Sequence, residues 1–417
     1  MNNFLISKFK ELNYEKIYLY LTLSLAFVMP LSRAAISFFI LALVLTWFVE
    51  RDFKRKFEQI KASKVLVLIG IFYCVVLFSA IISSNIDTTL KFVRLYAYWI
   101  IIFVIATSLK KEYISSVITA FLLGMFISEI IAYGVFFDIW KFGNATKEYL
   151  SPFMMHIDYS VFLAFTSMIL FNRIVSKDYS FKEKFFMFLF FCSTTGNLFL
   201  SVGRTGQVAF IFAIIVMFFL YYKLHIKTII YSFLSLLIIF MIAFNSSDMF
   251  EKRVNLAKTD IEKIIDGDLN SSWGIRIAYW MISYEILKEN PIFGVGIGDY
   301  KEAIIQTLEK EKFDNFPKSM KDFMKEYHVH NQFLMIIIQT GLIGIVIIIL
   351  LFYNLLRISL SIKKEYKNIF VLFLVIYFIS CIADPLWYKQ FTLVLWILFV
   401  SLLLSMSSLK IPNNCEK

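Results

Sequence analysis

Long apolar segments recur along almost the whole chain of 417 residues, and short polar turns separate most of them. A helix needs about 20 mostly apolar residues to cross the hydrocarbon core of a bilayer. Runs of this kind lie at 17–31, 34–49, 65–84, 94–109, 113–137, 152–172, 185–201, 205–222, 226–245, 332–356, 368–388 and 391–409. The pattern predicts an all-α polytopic membrane protein with about twelve transmembrane helices.

One polar segment, residues 246–331, is much longer than the turns between the other runs. Apolar side chains recur at helical spacing over 275–288, and Asn290-Pro291 predicts the end of that helix. We expect two to four short helices here, lying over the outer ends of the spans. The chain then divides into about nine N-terminal spans (1–245), this loop between spans 9 and 10 (246–331), and three spans with a tail (332–417).

The distribution of Lys and Arg orients these segments, because cytoplasmic loops carry an excess of both. With the N-terminus in the cytoplasm, the segments on that side hold 23 basic and 10 acidic residues. The outer short loops hold 7 and 6, and the long loop holds 12 and 15. We expect both termini in the cytoplasm and the long loop outside it. The net charge of +11 follows from this topology, so no nucleic-acid partner is expected.

Composition agrees with membrane residence and limits the chemistry. The chain is 59% hydrophobic and only 18% charged, whereas soluble domains carry nearer a quarter charged residues. Three of the four cysteines (Cys74, Cys192 and Cys381) lie in apolar runs, and Cys415 lies in the tail. This placement favours neither a disulfide framework nor a cysteine-ligated zinc site.

A polar element, Ser201-Val-Gly-Arg-Thr-Gly206, separates two apolar runs at the outer boundary. An arginine at this depth is costly, so Arg204 should have a partner or a function. One interpretation is an interfacial arginine whose guanidinium reaches water. The other is an anchor for an anionic ligand, since a guanidinium binds phosphate oxygens through two parallel hydrogen bonds.

Two further clusters carry candidate chemistry. Arg276 and Trp280 lie four residues apart on one face of the predicted loop helix, where a structural cation–π pair would also explain them. His328-Val-His330-Asn331 precedes the tenth span. An HxH pair can bind a metal, but no third ligand is evident in the sequence, so no metal is expected. Histidine is also the side chain best suited to accept a proton near neutral pH.

His156 and Asp158 stand near the start of the sixth predicted span. They could line the binding site of an acceptor, or each could pair with a neighbouring polar group. Arg33, at the outer start of the second span, is a further polar candidate at the same boundary.

Taken in order, these segments resemble the O-antigen ligase and polymerase family of bacterial inner membranes. The resemblance rests on Ser-x-x-Arg-x-Gly at 201–206, Arg-x-x-x-Trp at 276–280, Asn-Pro-x-x-Gly-x-Gly at 290–296, His-Asn at 330–331 and Gln339-Thr-Gly-Leu-Ile-Gly344. The motifs cover residues 200–345, and the N-terminal half is similar only in hydropathy.

The resemblance implies transfer of a glycan from undecaprenyl diphosphate to an acceptor hydroxyl at the periplasmic face, without a metal or cofactor. In the ligase branch, which the chain resembles most, the acceptor is a sugar of the lipid A–core oligosaccharide. It implies that Arg204 and Arg276 contact the donor diphosphate and that His330 is the general base. Acceptor-binding or supporting roles are expected among His328, Asn331, Trp280, His156, Asp158 and Arg33.

Three alternative functions stay open. An O-antigen polymerase would use the same donor with another lipid-linked repeat as acceptor. A protein O-oligosaccharyltransferase would transfer to protein, although such chains are usually longer. A lipid-linked oligosaccharide transporter would typically show two repeated halves, and the single loop at 246–331 breaks any such symmetry.

Overall fold

The computed structural model describes residues 13–222, 226–246 and 248–407, and these residues form helices joined by turns. The predicted tail beyond residue 407 and the first twelve residues lie outside the described ranges. The helices of the N-terminal part are α1 (Tyr14–Val28), α2 (Arg33–Glu50), α3 (Phe53–Ala62), α4 (Lys64–Ile81), α5 (Ile86–Ala97), α6 (Ile100–Ser108), α7 (Ile114–Phe136), α8 (His156–Val175), α9 (Phe181–Leu200), α10 (Arg204–Tyr222) and α11 (Ile226–Ser246). They are followed by α12 (Asp248–Ile265), α13 (Gly274–Glu289), α14 (Tyr300–Leu308), α15 (Lys318–Glu326), α16 (Gln332–Ser361), α17 (Lys364–Ala383) and α18 (Gln390–Met406).

Eight helical segments within the described ranges are long and apolar enough to cross a membrane. They are Arg33–Glu50, Lys64–Ile81, Ile86–Ser108, Lys111–Phe136, His156–Val175, Arg204–Tyr221, Gln332–Ser361 and Lys364–Ala383. The four other predicted spans correspond to α1, α9, α11 and α18, of which α1 and α18 have only 15 and 17 residues. The all-α, multi-pass architecture is confirmed, and the count of twelve stays a prediction.

Basic segments meet at one end of the helical bundle. Arg55 Nη1 donates to the Thr107 carbonyl oxygen at 3.0 Å, and Lys110 pairs with Glu15 at 2.5 Å. Residues 248–331 pack at the other end, which we call the loop end. The orientation of the two ends across a membrane stays a prediction from the charge distribution.

Residues 248–331 fold into the four helices α12 to α15, as many as the sequence analysis allowed. Helix α13 packs on α14 and on α16, so the loop lies against the bundle. The segment is also held to the turn before α5, because the backbone N–H groups of Ser84 and Asn85 donate to the Asp299 carboxylate at 2.7 and 2.8 Å. The loop is therefore a fixed layer of the structure.

Helix α16 is broken at Gly341, where φ is 62° and ψ is −156°. Within a bilayer each backbone group that loses its partner costs several kcal/mol, so a break must be repaired by other protein groups. Residues 291–296 repair this one. The Leu342 N–H donates to the Pro291 carbonyl oxygen at 2.9 Å, and the Val295 N–H donates to the Ile338 carbonyl oxygen at 2.9 Å.

This junction requires glycine on both sides. A Cβ on Gly294 would lie 2.5 Å from the Ile338 carbonyl oxygen, and a Cβ on Gly341 would lie 2.4 Å from the Ile292 carbonyl oxygen. Both residues also have positive φ, which other residues adopt only at a cost. The glycine motifs at 290–296 and 339–344 are thus the two sides of one contact, and that contact positions the first half of α16.

We expect Gly341→Ala to destabilise the protein by about 2–4 kcal/mol, since it adds both backbone strain and a clash with the inserted loop. Thermal unfolding of the detergent-solubilised protein measures the effect. Gly70→Ala in α4 is the matched control, because a Cβ there would meet no atom within 4 Å. Equal melting temperatures for the two variants would contradict the junction.

Candidate active site

A buried carboxylate, Asp384, lies at the centre of a polar cluster at the loop end. Helix α17 stops at Ala383 because Pro385 follows, and a residue that precedes proline avoids the helical conformation. Asp384 is accordingly extended, with φ −160° and ψ 151°. Its side chain is only 1% exposed, so the carboxylate needs polar partners within the protein.

Three cationic or titratable side chains surround this carboxylate. Its Oδ1 lies 3.2 Å from His330 Nδ1 and 3.5 Å from His328 Nε2, while Lys389 Nζ contacts Oδ2. Burial alone would raise the pKa of Asp384, but the two neighbouring histidines and the charge of Lys389 hold that pKa well below its usual range. Asp384 is therefore ionised at neutral pH.

The charge of Asp384 determines the tautomer of His330. Since an ionised carboxylate can only accept a hydrogen bond, His330 carries a proton on Nδ1, and in the neutral form of the ring the lone pair is therefore on Nε2. The ring of His330 is stacked on Phe323 at a centroid distance of 5.9 Å and meets Tyr279 edge-on at 6.2 Å. The imidazole is thus oriented on three sides, and its side chain remains 22% exposed.

Lys389 connects this cluster to α8. Its Nζ lies 3.6 Å from Oδ1 of Asp158, a residue of the first turn of α8 that is 1% exposed. Burial alone would lower the pKa of Lys389, but the carboxylates of Asp158 and Asp384 outweigh it and raise that pKa. Lys389 is therefore a charged bridge between two buried carboxylates.

The Arg204 element is fixed to the same turn of α8. The Gly206 N–H donates to Ser160 Oγ at 3.0 Å. A Cβ on Gly203 would lie 2.3 Å from Ser160 Cβ, and one on Gly206 would lie 2.1 Å from the Ser160 carbonyl oxygen. The two glycines therefore let the segment that carries Arg204 approach the turn that carries Asp158.

Arg276 stands in the first turn of α13, where Nη1 donates to the Ser272 carbonyl oxygen at 2.7 Å. Burial lowers the pKa of Arg276, and the charges of Asp384 and Asp260 act in the opposite direction. A guanidinium with an ordinary pKa above 12 stays charged under such a change. Arg276 is therefore a cation that interacts electrostatically with the central carboxylate.

The other predicted site residues have different surroundings. Asn331 caps α16, its Oδ1 accepting from the backbone N–H groups of Phe333 and Leu334 at 2.8 and 3.0 Å. Trp280 is 55% exposed on α13.

His156 and Arg33 each lie against an aromatic ring. His156 begins α8 beside the ring of Tyr149. The guanidinium of Arg33 lies over the ring of Phe391, and its charge acts on Asp158. The structure thus joins His328, His330 and Asp158 through Asp384 and Lys389.

Asp384 and Lys389 are the residues that sequence reasoning missed. The predicted span at 368–388 runs through Asp384, whereas α17 ends at Ala383. An ionisable residue inside an apolar run, followed directly by proline, is a signal that identifies such a site. Asp384 also supplies the third potential metal ligand beside the HxH pair, which the sequence analysis did not find.

Comparison with known proteins adds two findings. Residues 186–349 match the family model described as O-antigen ligase, a range that contains both arginine elements, the glycine junction and the HxH pair. A curated protein of Haemophilus influenzae, described as an uncharacterized protein, is 28% identical over 207 residues, which are 48% of this chain. The chain spans about half the length of that relative, 50% of which is matched. The family match supports a function of the O-antigen ligase or polymerase type.

We expect Asp384→Asn to lower the free energy of unfolding by about 3–5 kcal/mol at neutral pH, because it leaves Lys389 with one buried carboxylate fewer. The pKa of Asp384 is lower in the folded protein, so its stabilisation is present above its unfolded value of about 4 and is lost as the pH falls further. The difference between wild type and variant should therefore shrink below about pH 4.

A double-mutant cycle in detergent measures the coupling. Adding Lys389→Met to Asp384→Asn should recover part of the loss, since it removes the buried ammonium that has lost its nearer carboxylate and keeps only Asp158. Strictly additive effects of the two substitutions would contradict an ion pair at this position.

Proposed function

We propose that this chain, whose residues 186–349 match the O-antigen ligase family model, transfers a glycan from undecaprenyl diphosphate to a sugar hydroxyl of lipid A–core oligosaccharide. The observation that carries the proposal is the Asp384–His330 pair at the loop end of the bundle. A carboxylate that fixes a histidine tautomer leaves the opposite nitrogen available as a base. Acceptor-hydroxyl activation is the step of this reaction that needs such a base.

His330 acts as the general base. Its Nε2 takes the proton of the acceptor hydroxyl as that oxygen attacks the anomeric carbon of the donor glycan. The bond between this carbon and the diphosphate oxygen breaks, and its electron pair leaves with undecaprenyl diphosphate. Asp384 stabilises the imidazolium that forms, so it is a positioning residue that acts through His330. A positioned base of this kind contributes about 10²–10⁴ in rate.

Arg204 and Arg276 bind the donor diphosphate. A diphosphate is already a good leaving group, so the protein has to hold it and stabilise its growing charge while the anomeric bond breaks. Guanidinium groups match phosphate oxygens in geometry and remain charged in dry surroundings. Removing one such group typically costs about 10²–10³ in rate. The proposed transfer step includes no metal ion and no cofactor.

The position of the site suits substrates that are anchored in lipid. Donor and acceptor both carry hydrocarbon chains in the bilayer and reactive sugars beyond its surface. Asp384 lies at the end of α17 and His330 lies just before α16, so the reacting groups would meet at the boundary of the membrane. In our proposal this boundary is the periplasmic face of a bacterial inner membrane, with both termini in the cytoplasm.

We expect Arg204→Ala, Arg276→Ala and His330→Ala each to reduce transfer by at least about a hundredfold, because each removes a group that acts on the reacting atoms. The assay supplies purified donor and acceptor lipids to the detergent-solubilised protein. Arg357→Ala is the matched control, since that exposed arginine lies near the far end of α16. Full activity of His330→Ala would remove the general-base proposal.

The same assay separates an enzyme from a transporter. A lipid-linked oligosaccharide transporter moves its cargo between two compartments, which detergent micelles do not provide. Transfer of glycan to the acceptor in micelles therefore supports an enzyme. If a folded preparation translocated donor in vesicles but transferred no glycan to the acceptor in micelles, the result would contradict the proposal.

Deletion of the gene distinguishes a ligase from a polymerase. We expect the deletion strain to show bare lipid A–core on a lipopolysaccharide gel, with glycan accumulating on undecaprenyl diphosphate, because ligation is the last step. A core that carries a single repeat would indicate a polymerase. Unchanged lipopolysaccharide together with the loss of glycan from a protein would indicate a protein O-oligosaccharyltransferase.

A further inference from the structure

We propose that His328, His330 and Asp384 form a reversible site for a divalent transition metal, with zinc as the best match, and that metal binding switches the transfer reaction off. The metal-binding half of this proposal stands on the geometry of the three side chains. The inhibitory half rests on the proposed function, because it requires His330 to be the general base.

The three ligand atoms are close to the spacing that zinc requires. They are His328 Nε2, His330 Nδ1 and Asp384 Oδ1, and all lie within 4.8 Å of one another. Bonds of about 2.0–2.1 Å in a tetrahedral site place neighbouring ligand atoms about 3.3 Å apart. The carboxylate oxygen already lies 3.2 and 3.5 Å from the two nitrogens. Only the two rings have to approach each other, by at most about 1.5 Å.

The surroundings hold these ligands in place. The ring of His328 is stacked on Tyr388 at 5.3 Å, as that of His330 is on Phe323. Lys389 contacts Oδ2 of Asp384, which orients the carboxylate and leaves Oδ1 for a metal. Groups that hydrogen-bond a metal ligand in this way typically raise metal affinity 10–100-fold.

His328 provides a further indication of a ligand. Its Nε2 is buried and lies 3.5 Å from Asp384 Oδ1, but no contact of this nitrogen with the described residues has the geometry of a hydrogen bond. Buried polar atoms without a partner are uncommon, so each calls for an explanation. A metal bound to this nitrogen would satisfy it. The same ion would also explain why a second histidine precedes His330, an addition that base catalysis does not require.

The donor set selects the kind of metal. Two imidazole nitrogens and one carboxylate oxygen suit zinc and similar transition metals, whereas magnesium and calcium prefer oxygen ligands. Three protein ligands leave the fourth position of a tetrahedral ion open to water. Asp384 and Asp158 together offset two of the three positive charges that the ion and Lys389 bring to this region.

Metal binding inhibits because a neutral imidazole has only one N–H group. Without the ion, the proton of His330 is on Nδ1 and the lone pair of Nε2 can accept the acceptor proton. An ion can bind Nδ1 only after the proton of that nitrogen has moved to Nε2, and this proton then occupies the lone pair of Nε2. His330 then has no lone pair for the acceptor hydroxyl, and transfer stops.

Cobalt is a spectroscopic probe of the site that does not depend on activity. The full-length protein is purified in detergent through a histidine-free tag, stripped with a chelator and titrated with Co²⁺. We expect visible absorption bands that saturate at one ion per chain and disappear on adding Zn²⁺. His328→Ala should weaken binding by about a hundredfold, since the loss of a ligand costs at least as much as the loss of a supporting partner. His156→Gln, a histidine on α8, is the matched control and should bind as wild type does.

Transfer assays with and without Zn²⁺ then test the switch. Zinc should inhibit the wild type, and His328→Ala should need about a hundredfold more zinc for half inhibition relative to its own metal-free rate. Absence of cobalt bands in wild type, or bands retained in His328→Ala, would overturn the metal site. Saturated cobalt binding without inhibition of a transfer-competent protein would overturn the switch alone. Cobalt binding by a protein that never transfers glycan would leave the metal site standing and count against the proposed function.

Discussion

The buried negative charge of Asp384 determines how the loop end of this protein is organised. A carboxylate that is removed from water is stable only if donors and cations surround it, and here those groups come from two separate parts of the chain. His328 and His330 arrive from the end of the loop, and Lys389 arrives from the segment before α18. Lys389 then extends the network to Asp158 on α8, against which the Arg204 element packs. One charge therefore links the histidine element to α8 and, through α8, to the segment that carries Arg204.

A second constraint acts on the backbone. The break at Gly341 would leave peptide groups without partners inside the membrane, and the loop segment 291–296 supplies them. This repair joins the long loop to the interior of the bundle and fixes the half-helix whose N-terminus follows His330. The loop is thus built into the bundle. The position of the proposed base therefore depends on a junction between Gly294 and Gly341, which lie 47 residues apart in the chain.

The sequence predicts the parts of this architecture that depend on local patterns. Apolar runs predict the helices, and Asn290-Pro291 predicts the end of α13, which the structure has at Glu289. Asp384 is different, because its importance comes from contacts with residues 54 and 56 positions away, which no local pattern contains. Asn331 caps α16, a contact that its motif alone does not predict, and its expected supporting role stays a prediction. The roles of the two arginines and of His330 remain predictions that the geometry supports.

The proposed mechanism depends on Asp384 holding His330 in the tautomer that a general base requires. Nitrogen NMR of protein labelled with ¹⁵N-histidine reports that tautomer directly, and the signal of His330 is assigned as the one lost in His330→Ala. We predict a neutral ring in which Nδ1 is protonated and Nε2 is not, and a redistribution of the proton in Asp384→Asn. A neutral His330 with its proton on Nε2 in the metal-free wild type would contradict the account.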